Sequence, residues 1–224
     1  GAGRTDSGVH ALGQVVHFYT REPVNERKLY SACNGILPFD IRVKEAKEVY
    51  RGFHARFHAT NKTYHYYIHT DPLLDPFTRL YRKHIWTHLD VEAMREAAKQ
   101  FVGTHDFSSF KNKNRDGTWR DPVRTITHFK VVDIDRGVRV EVESSGFLYK
   151  QVRNMVGALI RIGRGKHPVG HIDYLLKAKD RALAPPGAAA EGLFLVNVEY
   201  PPELLNKELP LGYEFEGDEN YHDC

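Results

Sequence analysis

The 224-residue chain is poor in cysteine: Cys33 and Cys224 are the only two, and they form no CxxC pair. That usage excludes a disulfide framework or a cysteine-built zinc site and suits a reducing, cytoplasmic setting. Long apolar runs are missing too. The longest apolar-leaning stretch, Val152 to Ile162, is broken by Arg153, Asn154 and Arg161. It falls short of the roughly 20 residues that span a bilayer, so no membrane partner is expected. HExxH is absent despite thirteen histidines, and His54 and His58 lie four apart in a segment that alternates like a strand. A metal site of the zinc-hydrolase type is therefore not expected. GxSxG is absent as well, leaving a hydrolase built on Asp6 and His10 as a weak reading. There is no cofactor motif, no signal peptide and no fixed-period repeat, and the chain opens on a glycine rather than an initiator Met. It is expected to be a fragment, and an organellar address is left open.

With 41% hydrophobic and 27% charged residues, the composition is that of a folded globular protein. Its length allows one large domain or two small ones. A net charge of +3 says little about partners. Its distribution says more: Glu214, Glu216, Asp218, Glu219 and Asp223 make the tail acidic, leaving the remainder more basic. The segment from Lys111 to Arg124 holds Lys111, Lys113, Arg115, Arg120 and Arg124 around Trp119. Such a run is usually solvated surface, but it also fits phosphate contact.

Pattern places the elements. Val15–Tyr19 reads as a buried strand, and Asn25–Leu37 as a helix capped by Asn25 and ended by Pro38. Ile41–Tyr50 reads as a mostly exposed strand. In Phe53–Phe57 a period of two turns His54 and Arg56 away from the core. Thr60–Thr70 is a strand with Tyr64, Tyr66 and Ile68 on one face, and Val91–Val102 a helix capped by Asp90. Val123–Ile134 and Val138–Glu143 form a hairpin, Phe147–Gly163 the longest helix, and Leu193–Tyr200 a last strand. Adjacent strands mixed with helices favour α+β over a regular βαβ repeat.

The chain is organised around Gly1-Ala2-Gly3-Arg4-Thr5-Asp6-Ser7-Gly8-Val9-His10-Ala11. Glycines there permit backbone angles closed to other residues and let a ligand approach. Spacing alone leaves two readings of Asp6 open: an ordinary turn residue bonding its own backbone, or an aimed carboxylate. Arg153 on the long helix is equally open, as a solvated neighbour of Lys150 and Arg161 or as a buried cation that needs a partner. Tyr64 and Leu193 fit a core as well as a site.

That loop, running into Gln14-Val15-Val16-His17-Phe18, closely resembles the active-site loop of the tRNA pseudouridine synthase A family. Further segments match in order: Phe53–Phe57, Lys62–Tyr66, Gly103–Phe107, Gln151–Gly157 and Ala190–Leu193. The likeness extends from Gly1 to about Pro201. It implies a pseudouridine synthase fold, with two ferredoxin-like (RRM-like) halves of mixed or antiparallel sheet around a central active-site cleft. The expected divisions are 1–58 for the rest of an N-terminal subdomain carrying the catalytic loop, 59–201 for the C-terminal subdomain and 202–224 for a tail.

The implied activity is isomerisation of uridine to pseudouridine at positions 38–40 of the tRNA anticodon stem-loop. It involves no metal or organic cofactor, and the implied enzyme is a homodimer crossed by tRNA. The alternative is a catalytically inactive homologue that grips structured RNA. The resemblance makes Asp6 and Arg153 catalytic, with Tyr64, Leu193 and Arg4 contacting the substrate. Arg56, His54, Lys111, Lys113, Arg115 and Arg120 are the candidate RNA contacts.

Overall fold

The computed structural model describes residues 1–113 and 121–208. Arg115 and Arg120, the acidic tail residues and Trp119 lie outside them. Among the described residues a seven-stranded mixed sheet carries four α-helices. Its strands are β1 (His10–Ala11), β2 (Asn61–His69), β3 (Lys83–His84), β4 (Gly103–Asp106), β5 (Val123–Ile134), β6 (Gly137–Ser144) and β7 (Leu193–Glu199). They lie in the order β1-β7-β2-β6-β5-β4, with β3 pairing parallel to β2. The helices are α1 (Glu26–Ile36), α2 (Val91–Lys99), α3 (Gln151–Gly163) and α4 (His171–Ala178).

The core follows from alternation. Tyr66 and Ile68 of β2 and Val138, Val140 and Val142 of β6 are buried on one face. Met94, Ala97 and Ala98 of α2 and Met155, Val156, Leu159 and Ile162 of α3 bury against the same cluster. The α+β reading therefore holds, as do the hairpin, the Asp90 cap, which accepts from the Ala93 N–H at 2.9 Å, and the Asn25 cap on α1.

Several expectations are corrected. Val15–Tyr19 is not a buried strand: Val16, Phe18 and Tyr19 are exposed, and the short β1 lies upstream. The segment is instead tied at its start, where the Ala2 N–H donates to the Val15 carbonyl at 2.8 Å. Ile41–Tyr50 has no ladder. Phe53–Phe57 is a tight turn closed by the His58 N–H on the His54 carbonyl, and Phe57 is exposed while Phe53 and Ala55 are buried. Imidazoles bend it. The Nδ1 of His54 accepts the Arg56 and Phe57 N–H groups, and the Nδ1 of His58 accepts that of His54. α3 begins at Gln151 rather than Phe147, because Lys150 sits in the left-handed region at φ 60°. α4 has no counterpart in the sequence reading, although Ile172, Leu175 and Leu176 bury at helical spacing.

Candidate active site

The loop bearing Asp6 folds back on itself before it enters the sheet. The Val9 N–H donates to the Asp6 carbonyl at 3.0 Å, closing a β-turn, and Gly8 occupies its third position at φ +80°. That position requires positive φ in a type II turn, so glycine is the natural occupant. Downstream, His10 and Ala11 pair with Phe194 and Leu195 of β7, and the Leu12 N–H donates to the Leu195 carbonyl at 2.7 Å. Upstream, the buried Lys62 donates from Nζ to the Ala2 carbonyl at 2.8 Å; burial lowers its pKa. The His10 ring, 4.7 Å from that of Phe194 and 4.9 Å from that of Tyr81, bonds the Leu80 carbonyl through Nε2. It thus braces the loop, and no hydrolytic role is assigned to it.

The loop brings Asp6 to α3. Arg153 Nη1 donates to Asp6 Oδ2 at 2.6 Å, and the two side chains are 18% and 23% exposed. Arg153 is therefore not a solvated surface arginine. Its Nε donates to the Ala188 carbonyl at 2.8 Å, while the Ala188 N–H returns to the Arg153 carbonyl. The segment 184–190 is thus a strap lying across α3. Gly157 makes this approach possible: a Cβ there would meet the Pro186 carbonyl oxygen at 2.3 Å.

Tyr64 completes the cluster. The β2–β7 register shifts between Thr63 and Tyr64, so Thr63 faces Asn197 while Tyr64 faces Leu195. A bulge of this kind re-aims side chains beside functional sites. The Tyr64 ring packs edge-on to Phe147 at 5.2 Å. Burial, with the Asp6 charge adding to it, pushes the Tyr64 hydroxyl up to about 12. The sequence pattern places Phe147 at the start of the long helix and gives no sign of this contact with Tyr64.

The other expected residues scatter. Leu193, 5% exposed, faces Tyr66 in the ladder and belongs to the main core. Arg4 is exposed on the Asp6 loop. Arg56 is exposed on the 53–58 turn with its guanidinium 5.6 Å from the Phe57 ring, and His54 is half-buried beside His17. Lys111 is half-buried and Lys113 exposed at the edge of the described segment. A concavity of about 660 Å³ lined by Gln100, His105, Asp106 and Lys177 involves none of these residues. No group of three His, Cys, Asp or Glu side chains fit to hold a metal ion occurs among the described residues.

Most of the chain is similar in sequence to known proteins. Residues 97–201 match the tRNA pseudouridine synthase family. Across 201 residues the chain is 44% identical to the tRNA pseudouridine synthase A 1 of Protochlamydia amoebophila, covering 89% of this chain and 78% of that protein. It is 43% identical over 199 residues to the tRNA pseudouridine synthase A of Bacillus subtilis, covering 89% and 80%. The fold is that of a pseudouridine synthase, an isomerase class. Within it, the chain belongs to the tRNA pseudouridine synthase A family.

Proposed function

We propose that this tRNA pseudouridine synthase isomerises uridines at positions 38–40 of the anticodon stem-loop, with Asp6 as the reacting carboxylate and Arg153 as its partner. The observation that carries the assignment of roles is the 2.6 Å Asp6–Arg153 pair, which joins residues 147 positions apart at a sequence-matched loop. The reaction breaks the C1′–N1 glycosidic bond, turns the uracil and rejoins it through C5, so no atom is imported and nothing is oxidised. A carboxylate does covalent work only when ionised and aimed. The guanidinium favours the charged form and fixes its direction. Ala188 in turn fixes the guanidinium.

Tyr64 offers a ring beside the carboxylate, suited to stack on a base taken out of its helix. Such extrusion costs a few kcal/mol in a paired stem. Arg4, two residues before Asp6, supplies a cation to follow the base into the gap. Leu193, beside Tyr66 in the ladder, serves as the apolar wall on the other side of the base site. Arg56, His54, Lys111, Lys113, Arg115 and Arg120 contact the phosphates and place the stem-loop. The active form is a homodimer crossed by one tRNA, with residues 1–58 belonging to an N-terminal subdomain, 59–201 forming the C-terminal subdomain and 202–224 a tail in each protomer.

The position assignment is tested with tRNA transcripts in which U38, U39 or U40 is replaced by cytidine one at a time. Loss of product at the replaced position alone is expected. Unchanged product elsewhere in the tRNA, with none in this stem, overturns the assignment.

A further inference from the structure

Arg181 precedes the 184–190 strap and is half-buried, and the partners it meets among the described residues are neutral. Its Nη1 donates to the carbonyls of Ala184 at 2.8 Å and Pro185 at 3.1 Å, and its Nη2 to Asn154 Oδ1 at 3.2 Å. Asn154, 2% exposed, spends its own Nδ2 on the Phe110 carbonyl at 2.8 Å and Asn112 Oδ1 at 2.9 Å. One guanidinium thus ties the start of the strap to the residue that follows Arg153 on α3. At the other end, Tyr66 Oη donates to the Ala189 carbonyl at 2.9 Å. Between these ties lies the Ala188 carbonyl that holds Arg153 Nε. Partial burial of a cation without a counter-charge is costly. A fixed planar fork that reaches three acceptors on two elements is what arginine supplies and a neutral side chain does not.

We propose that Arg181 is a positioning residue for the reaction: by clamping the strap to α3, it holds the Ala188 carbonyl where that carbonyl orients Arg153 toward Asp6. The proposal depends on the reading of Asp6 and Arg153 as the reacting pair. A clamp that merely stabilises a loop would lower stability or tRNA affinity. A clamp that works through Arg153 lowers kcat, and only while Arg153 is there to be oriented.

The test is a double-mutant cycle on the full chain: wild type, Arg181→Gln, Arg153→Lys and the double variant, with single-turnover rate and KM measured on unmodified tRNA. Arg181→Gln is expected to lower the rate about tenfold, with KM within about threefold of wild type. In the Arg153→Lys background the same change is expected to lower it less than about twofold, since coupled residues are not additive. Equal factors in both backgrounds, or an effect on KM alone, overturn the proposal. Should Arg181→Gln fail to fold, Arg181→Lys, which keeps charge but not the fork, replaces it. A rate lowered less than about twofold by that change then overturns the proposal. A wild type that makes no pseudouridine contradicts the assigned reaction itself, whereas an active wild type with equal factors contradicts only the role of Arg181.

Discussion

Arg153 meets Asp6 through Nη1 and Ala188 through Nε, so its loss leaves a carboxylate facing a largely dry wall. Removing one partner of a fully buried pair costs about 3–5 kcal/mol. With 18% and 23% of the two side chains exposed, the cost here should fall below that range. Arg153→Met is expected to lower Tm and abolish most turnover at neutral pH. Arg153→Met with Asp6→Leu should melt higher than Arg153→Met alone, because the orphaned charge is gone. A single variant that melts and turns over like wild type contradicts the pairing. Tyr64 bears a different prediction. Its hydroxyl, pushed up to about 12, stays protonated at any working pH. Tyr64→Phe should therefore leave the shape of the pH–rate profile unchanged between about pH 6 and pH 10, while Tyr64→Ala loses the ring and most activity. An alkaline limb that vanishes in Tyr64→Phe would contradict this. The meeting of Asp6 with Arg153 was not legible from spacing; the resemblance alone brought residues so far apart together. The restraint on Arg153 from Ala188, a backbone carbonyl, had no side-chain signature to read.

Among the elements, the strap and α3 form one unit whose spacing is set by Gly157. Gly157→Ala forces a methyl to within 2.3 Å of the Pro186 oxygen unless the strap moves. Overpacking of this kind costs about 1–3 kcal/mol. A drop in both Tm and kcat is expected; an unchanged kcat would show that the strap can move without disturbing Arg153. The 53–58 turn carries a pH prediction. Burial lowers the pKa values of His17, His54 and His58. The unfolded chain therefore takes up protons that the folded chain refuses. Stability is fully present above the ordinary value of 6.5 and is lost as pH falls from there through the lowered folded values. His58→Asn, which keeps an acceptor for the His54 N–H, should flatten the fall of Tm between about pH 6.5 and pH 5. An unaltered slope contradicts the role of His58. Helices α2 and α3, the strand β2 and the β5–β6 hairpin were legible because their apolar period matches the face they bury; α1 was legible from its apolar period and its Asn25 cap, although none of its residues is buried. The turn at 53–58 was not, since its alternation of Phe, Ala and Phe mimics a strand while side-chain imidazoles impose the bend. Val15–Tyr19 misled for a related reason: β-type composition makes a strand only where a partner supplies the ladder.

At the scale of the whole molecule, the exposed cations Arg4, Arg56 and Lys113 lie on segments outside the helices and strands. If they meet phosphate, neutralising Arg56 and Lys113 together should weaken every tRNA alike and reduce the log–log salt slope by about 0.7–0.9 per lost contact. A slope equal to that of wild type would leave them as solvated surface. The α+β class and the mixed sheet were legible from the order of elements. The joining of the Asp6 loop to β7, the last strand in sequence among the described residues, was not, because pairing over such a separation leaves no local pattern. The central claim is that Asp6 performs the isomerisation while the rest of the site binds and aims. Its most direct test is to incubate wild type and Asp6→Asn with unmodified tRNA transcript and map pseudouridine by chemical probing, with tRNA affinity measured in parallel. The account predicts product at the anticodon-stem uridines with wild type, none with Asp6→Asn, and affinities within a few-fold of each other. Pseudouridine formed by Asp6→Asn at more than about a tenth of the wild-type rate, a loss of about 1.4 kcal/mol or less in transition-state stabilisation, would contradict it.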